Sequence, residues 1–153
     1  MADDGSVLAR LQRLEDLVEI ERLFYDYRRH LDARDMYSYS RLFCEDGEWT
    51  GRTGSAVGPD AIQAMLEANL RPNPPAPDAT SWHIVSNPVI DLDGDTASAS
   101  TTWALIRRAA GDVPEVVLLG HYDDVLAREG DRWKFKRRLA HIDIPDNPLE
   151  SGS

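Results

Sequence analysis

Histidine is the side chain best suited to moving a proton near neutral pH, and a carboxylate beside it sharpens that ability. The carboxylate stabilises the imidazolium and fixes which ring nitrogen carries the proton, leaving the other nitrogen free to take one from carbon. His83 is the candidate base, with Asp32 as a candidate carboxylate. Tyr27 could donate a hydrogen bond to a substrate oxygen, and Arg138 could stabilise charge building on a leaving group or enolate. Each has a plainer reading. His83 suits a strand histidine hydrogen-bonded in the core, Asp32 a solvated residue closing a helix, and Tyr27 ordinary core packing. Arg138 suits an exposed strand charge among Lys134, Lys136 and Arg137. The residues alone leave both sets of readings open. His121 and His141 fall on later strands within reach of a cavity and carry no assigned role.

Other chemistries find less support. There is no glycine-rich phosphate loop, no His-Glu-x-x-His helix and no Gly-x-Ser-x-Gly elbow. No close histidine or aspartate spacing suggests a metal, and neither metal nor cofactor is expected.

The candidates must be positioned by the elements around them. Apolar residues at helical spacing, clearest at Ile20, Leu23, Phe24, Tyr27 and Leu31, predict a long amphipathic helix over about 8–31, with Asp32 at its end. Asp35 is placed to cap a short second helix over 36–43. A turn at 45–47 leads into a strand pair around 48–52 and 55–57. Gly58, Pro59 and Asp60 open a third helix whose apolar face is Ile62, Met65, Leu66 and Leu70, and a proline-rich loop over 71–78 ends it. Four strands then follow in an antiparallel meander, at about 82–91, 96–108, 113–128 and 132–144. The last two are long enough to need curvature or a bulge. Helices followed by such a sheet predict a single α+β domain over 1–146, a cone-shaped curved antiparallel sheet with helices on its concave face. Residues 147–153 read as a frayed tail.

Composition narrows the partners. Of 153 residues, 27 are acidic and 17 basic, and a net charge of −10 disfavours nucleic acid and anionic membrane surfaces. The basic clusters at Arg107 and Arg108 and at 134–138 fall on strands, where a solvated face explains most of them. The single cysteine, Cys44, follows Leu42 and Phe43 and suits a buried thiol in a reducing compartment. With no long apolar run and no basic, apolar leader, a cytoplasmic location is expected.

The order of elements and a series of fragments resemble the SnoaL-like division of the nuclear transport factor 2-like superfamily across nearly the whole chain. The fragments are Tyr27-Arg28-Arg29-His30-Leu31-Asp32, the turn from Leu42 to Trp49, Gly58-Pro59, Trp82-His83, Gly120-His121-Tyr122-Asp123-Asp124 and the stretch from Gly130 to Phe135. An Asp closing the first helix with a His early in the strand after the third helix is similar to the pair of scytalone dehydratase, hexachlorocyclohexane dehydrochlorinase and bile acid 7α-dehydratase. These are cofactor-free lyases. The resemblance implies that His83 takes a proton from carbon, that Asp32 orients it and that a hydroxyl or halide leaves. It further implies Arg138 as the arginine that assists the departing group, with Arg137 on the opposite face, and Tyr27 as the tyrosine five residues before the aspartate. The second histidine of scytalone dehydratase and the second-strand aspartate of the bile acid enzyme have no counterpart near 106–108, so neither substrate is inherited.

The expected activity is therefore a cofactor-independent elimination on a hydrophobic small molecule. Leu23, Phe24, Trp49, Trp82, Trp103 and Tyr122 would supply surface for a flat polyketide, steroid or terpenoid fragment. Isomerisation, hydrolysis or cyclisation in the same cone is the alternative, followed by a ligand-binding module or a small subunit of a ring-hydroxylating dioxygenase. A sheet apolar on both faces needs an outer cover, so a homo-oligomer is expected, a trimer before a dimer.

Overall fold

The computed structural model describes residues 4–70 and 81–145. The proline-rich loop and the C-terminal tail read from the sequence lie outside these residues. Three helices come first or alternate with a short hairpin: α1 (Asp4–Ala33), α2 (Met36–Ser40), β1 (Phe43–Gly51), β2 (Gly54–Val57) and α3 (Pro59–Asn69). The meander follows as β3 (Ser81–Asp93), β4 (Thr96–Ala109), β5 (Val113–Glu129) and β6 (Arg132–Ile144). All six strands join one curved, open sheet in the order β2-β1-β6-β5-β4-β3.

Local chemistry accounts for the boundaries. Asp35 caps α2, its Oδ1 accepting the Ser38 N–H at 3.0 Å, and Pro59 occupies the first turn of α3, where its missing N–H costs nothing. The second helix is shorter than its sequence pattern predicts because Phe43 is drawn into the sheet. There it lies opposite Phe135, whose N–H donates to the Leu42 carbonyl at 2.9 Å. The Glu45-Asp46-Gly47 segment is correspondingly an irregularity within β1 and not a free turn. Gly47 permits it, since a Cβ there would lie 2.7 Å from the Phe135 carbonyl oxygen.

The long strands curve as their length requires, through register shifts at Leu105/Ile106 between β4 and β5 and at Leu119/Gly120 and Val125/Leu126 along β5. Strand alternation sorts the sheet's two faces. Ala97, Ala99, Thr101 and Trp103 of β4 point inward and are buried, while their neighbours are exposed. Against this inner face pack Ile20, Leu23, Phe24 and Tyr27 of α1 and Ile62 and Leu66 of α3. Each such buried side chain contributes roughly 1.5–3 kcal/mol by leaving water. The meander is antiparallel throughout, but β1 runs parallel to β6, a pairing the sequence pattern does not reveal.

Cys44 is buried and unpaired, as its apolar neighbours predict. Among the described residues no helix is long and apolar enough to cross a membrane.

Candidate active site

Asp32 sits in the last turn of α1 and His83 is the third residue of β3, and packing this helix end on the strand's start brings the two together. His83 Nδ1 lies 2.7 Å from Asp32 Oδ1. The His83 backbone N–H also donates to Asp32, at 3.1 Å to Oδ1 and 3.3 Å to Oδ2, and Arg28, one turn earlier, donates to Oδ2 at 3.3 Å. Three donors thus hold one carboxylate. Both side chains are largely withdrawn from solvent, 14% exposed for Asp32 and 17% for His83. With Nδ1–H given to the carboxylate, His83 Nε2 is left as an acceptor, without a hydrogen bond among the described residues.

His83 lines a cavity of about 180 Å³ between the helices and the inner sheet face. Its walls are mainly apolar and aromatic: Leu31, Leu66, Leu70, Leu118 and Ile142, with Tyr27, Tyr39, Trp49, Trp103 and Tyr122. Trp103 can lie across the sheet because its cross-strand partner is Gly120, where a Cβ would come within 2.5 Å of the indole. The Trp103 ring stands 6.2 Å from that of His83 and stacks on Tyr122 at 5.8 Å. Two polar atoms on this lining, Trp103 Nε1 and Thr53 Oγ1, are buried without a partner among the described residues.

Tyr27 has a specific environment. Its hydroxyl oxygen accepts from Trp49 Nε1 at 3.1 Å and from the Tyr39 hydroxyl at 2.5 Å. Indole can only donate, so the Tyr27 oxygen accepts from Trp49, and Tyr122 is a further hydrogen-bonding neighbour of the same hydroxyl. Burial pushes the Tyr39 and Tyr122 phenols well above their ordinary value, which keeps both protonated.

Arg138 is placed differently from its sequence reading. It is fully buried and does not line the cavity. Its Nε and Nη2 donate to the two Asp124 oxygens at 2.7 and 2.6 Å, and its guanidinium lies 4.0 Å from the Tyr27 ring centroid and 4.1 Å from those of Tyr122 and Phe135. Burial raises the Asp124 carboxyl and opposes the Arg138 charge, but the paired charge and hydrogen bonds of Asp124 hold the guanidinium protonated. The rings of Tyr27 and Tyr122, which line the cavity, lie against this cation. Neighbouring Arg137 is exposed, on the opposite face.

Of the remaining expected binding residues, Trp49, Trp103 and Tyr122 line the cavity. Leu23 and Phe24 do not: they face the core further along α1, Phe24 beside Phe135 at 5.9 Å. Trp82 is exposed, since strand alternation turns it outward when His83 turns inward. His121 and His141 also point away, onto the outer face, and do not reach the cavity. Tyr39, Arg52 and Thr53 line it without having been singled out; the last two form the turn between β1 and β2, and only the hairpin's position over the cavity gives them relevance.

An α+β cone of curved sheet and covering helices, enclosing an apolar cavity with a His-carboxylate pair, is a cystatin-like architecture. The chain belongs to the SnoaL-like domain family, which matches it over residues 12–139. A protein of Novosphingobium aromaticivorans, provisionally assigned as a scytalone dehydratase, is 30% identical over 85% of both chains, with a TM-score of 0.68. A second protein of that organism, described as nuclear transport factor 2-like with a cystatin-like fold, is 24% identical over 95% of this chain and 94% of its own, with a TM-score of 0.79. An uncharacterised protein of Mycobacterium tuberculosis is 29% identical over 139 residues, 89% of this chain and 90% of its own.

Proposed function

We propose that the protein is a cofactor-independent lyase that removes a hydroxyl or halide from a hydrophobic small molecule by acid–base chemistry. The observation that carries this reading is the 2.7 Å contact between His83 Nδ1 and Asp32 in the wall of an apolar cavity. His83 Nε2 takes a proton from carbon. The C–H electron pair becomes the new double bond, and the leaving group departs from the adjacent carbon with its own pair. A departing hydroxyl collects the proton from the His83 imidazolium and leaves as water; a halide leaves as the anion and the proton passes to solvent. Asp32 fixes the ring tautomer and stabilises the imidazolium.

Tyr27 is the electrophilic partner in this reading. A carbonyl next to the attacked carbon would gather negative charge as the proton leaves, and the Tyr27 hydroxyl would donate to it. Arg138, 4.0 Å from the Tyr27 ring, acts here as a positioning residue that holds the phenol from behind and favours negative charge near its oxygen. Trp103 Nε1 and Thr53 Oγ1 favour a substrate that brings oxygen acceptors into the cavity. A cavity of about 150 Å³ takes one benzene ring, so 180 Å³ suits one ring-sized head with the remainder extending outward. Self-association into a homo-oligomer belongs to the same reading.

The test is a screen of aromatic β-hydroxy and β-halo ketones, following formation of the conjugated alkene. The native chain should convert at least one compound, and His83→Ala and Asp32→Asn should lose roughly two to four orders of magnitude in kcat while keeping the fold. Unchanged turnover in a folded His83→Ala variant would sink the proposal. Product analysis separates elimination from isomerisation by the same pair.

A further inference from the structure

Strands β5 and β6 carry a second cluster of chemically capable groups on the face turned away from the cavity. His121 and His141 are direct cross-strand partners, and Asp123 and Asp143 each lie two residues further along their strands, so all four side chains share the outer face. One nitrogen from each imidazole and one Asp123 oxygen lie within 4.8 Å of one another. The atoms that converge can be named: Asp123 Oδ2 is 3.6 Å from His121 Nε2 and 3.2 Å from His141 Nε2. The other nitrogen of His121, Nδ1, is held by Asp143 at 2.8 Å. That bond places the ring proton on Nδ1 and leaves Nε2 as a lone-pair donor aimed toward Asp123. His141 Nε2 is buried, and its 3.2 Å contact with Asp123 Oδ2 lacks the geometry of a hydrogen bond.

We propose that His121, His141 and Asp123 form a divalent transition-metal site, with Zn²⁺ as the ion best suited to it. Two imidazoles and a carboxylate are a ligand set that zinc accepts, with a fourth position left to solvent. Asp143 completes the arrangement as a carboxylate behind a metal-bound histidine, orienting the ring and raising its basicity. The two rings stack at 4.4 Å and only 11° from parallel. Metal binding requires the rings to turn until both Nε2 lone pairs converge; the two side chains are partly exposed, 35% for His121 and 34% for His141. The site would tie β5 to β6 where Tyr122, Ala140 and Ile142, on the inward side of the same strands, line the cavity. Bound metal therefore stiffens the cavity wall without entering the cavity. The sequence conceals this cluster because only strand register brings its two halves together.

The test is titration of the tag-free, full-length chain with Zn²⁺ by calorimetry, together with Co²⁺ absorption as a report on coordination. One Zn²⁺ per chain with micromolar or tighter affinity is expected, and a Co²⁺ spectrum of tetrahedral character. The His121→Ala/His141→Ala double variant and Asp123→Asn should each weaken binding at least tenfold, and Asp143→Asn by about 10- to 100-fold. His83→Ala should bind as the native chain does, which separates this site from the proposed catalytic pair. The altered side chains lie on the sheet surface, and circular dichroism checks that each variant is folded. Absence of saturable binding below millimolar Zn²⁺, or binding unchanged in the folded double variant, would overturn the proposal.

Discussion

A carboxylate in the last turn of a helix faces the negative end of the helix dipole, a small local cost that needs compensation. Asp32 receives it from the His83 ring, the His83 backbone N–H and Arg28. The backbone bond matters as much as the ring bond, because it fixes where β3 starts relative to the end of α1 and so holds the imidazole against the cavity. Tyr27 is held as closely, by Trp49 and Tyr39. Tyr27→Phe removes the acceptor of both bonds and should cost about 1–3 kcal/mol of stability, measured by denaturant unfolding. In the proposed reaction it should also lower kcat by about 10²-fold with a much smaller change in KM, since the hydroxyl matters most once charge has developed. Sequence reading reaches these residues unevenly. Asp32 and His83 are far apart in the chain and only the family resemblance suggests pairing them. Arg138 looks like one more charge in a basic run, and nothing local shows that Asp124 and four aromatic rings enclose it.

Among the elements, α1 is fastened to the sheet at a second point by Asp16. This buried carboxylate accepts hydrogen bonds from Trp133 Nε1 at 3.0 Å, Arg128 Nη2 at 2.6 Å and Gln12 Nε2 at 3.1 Å. Burial alone would raise its pKa, but the donated hydrogen bonds and the Arg128 charge outweigh burial and hold it below the ordinary 3.8. A depressed folded pKa gives stability that is present above the unfolded value and lost as pH falls through the folded one. Asp16→Asn should therefore lower stability at pH 7 and flatten the acid limb of the stability profile below about pH 4, read by denaturant unfolding across pH. The elements themselves were largely legible: amphipathic spacing, the Asp35 cap, Pro59 and the turn signals place all three helices and the meander. The parallel pairing of β1 with β6 was not legible, since it joins segments distant in sequence and leaves no turn between them to read.

At the scale of the whole molecule, apolar side chains remain exposed among the described residues, and two groups of them bear on assembly. Leu8, Leu11, Leu14 and Val18 are exposed on the N-terminal half of α1, and Trp82, Ile84 and Val116 on the sheet. Contiguous patches of this kind mark surfaces that bind other surfaces. Light scattering of the full chain should give a mass three times 17.2 kDa, and a strictly monomeric chain at micromolar concentration would contradict the expected self-association. In the proposed reading the inner cavity serves the chemistry, while the outer sheet face takes part in assembly and carries the proposed metal site. One face can thus change without rebuilding the other, because alternate residues of a strand answer to different surroundings.

The central claim is that His83, oriented by Asp32, takes a proton from carbon, and the most direct measurement is hydrogen–deuterium exchange at carbon. Aromatic ketones that lack a leaving group would be incubated with the protein in D₂O and followed by mass spectrometry. At least one ketone should acquire deuterium beside its carbonyl with the native chain, and both His83→Ala and Asp32→Asn should slow that exchange by about 10²-fold or more. Exchange at the same rate in a folded His83→Ala variant, or no exchange of any compound above the buffer rate, would contradict the account.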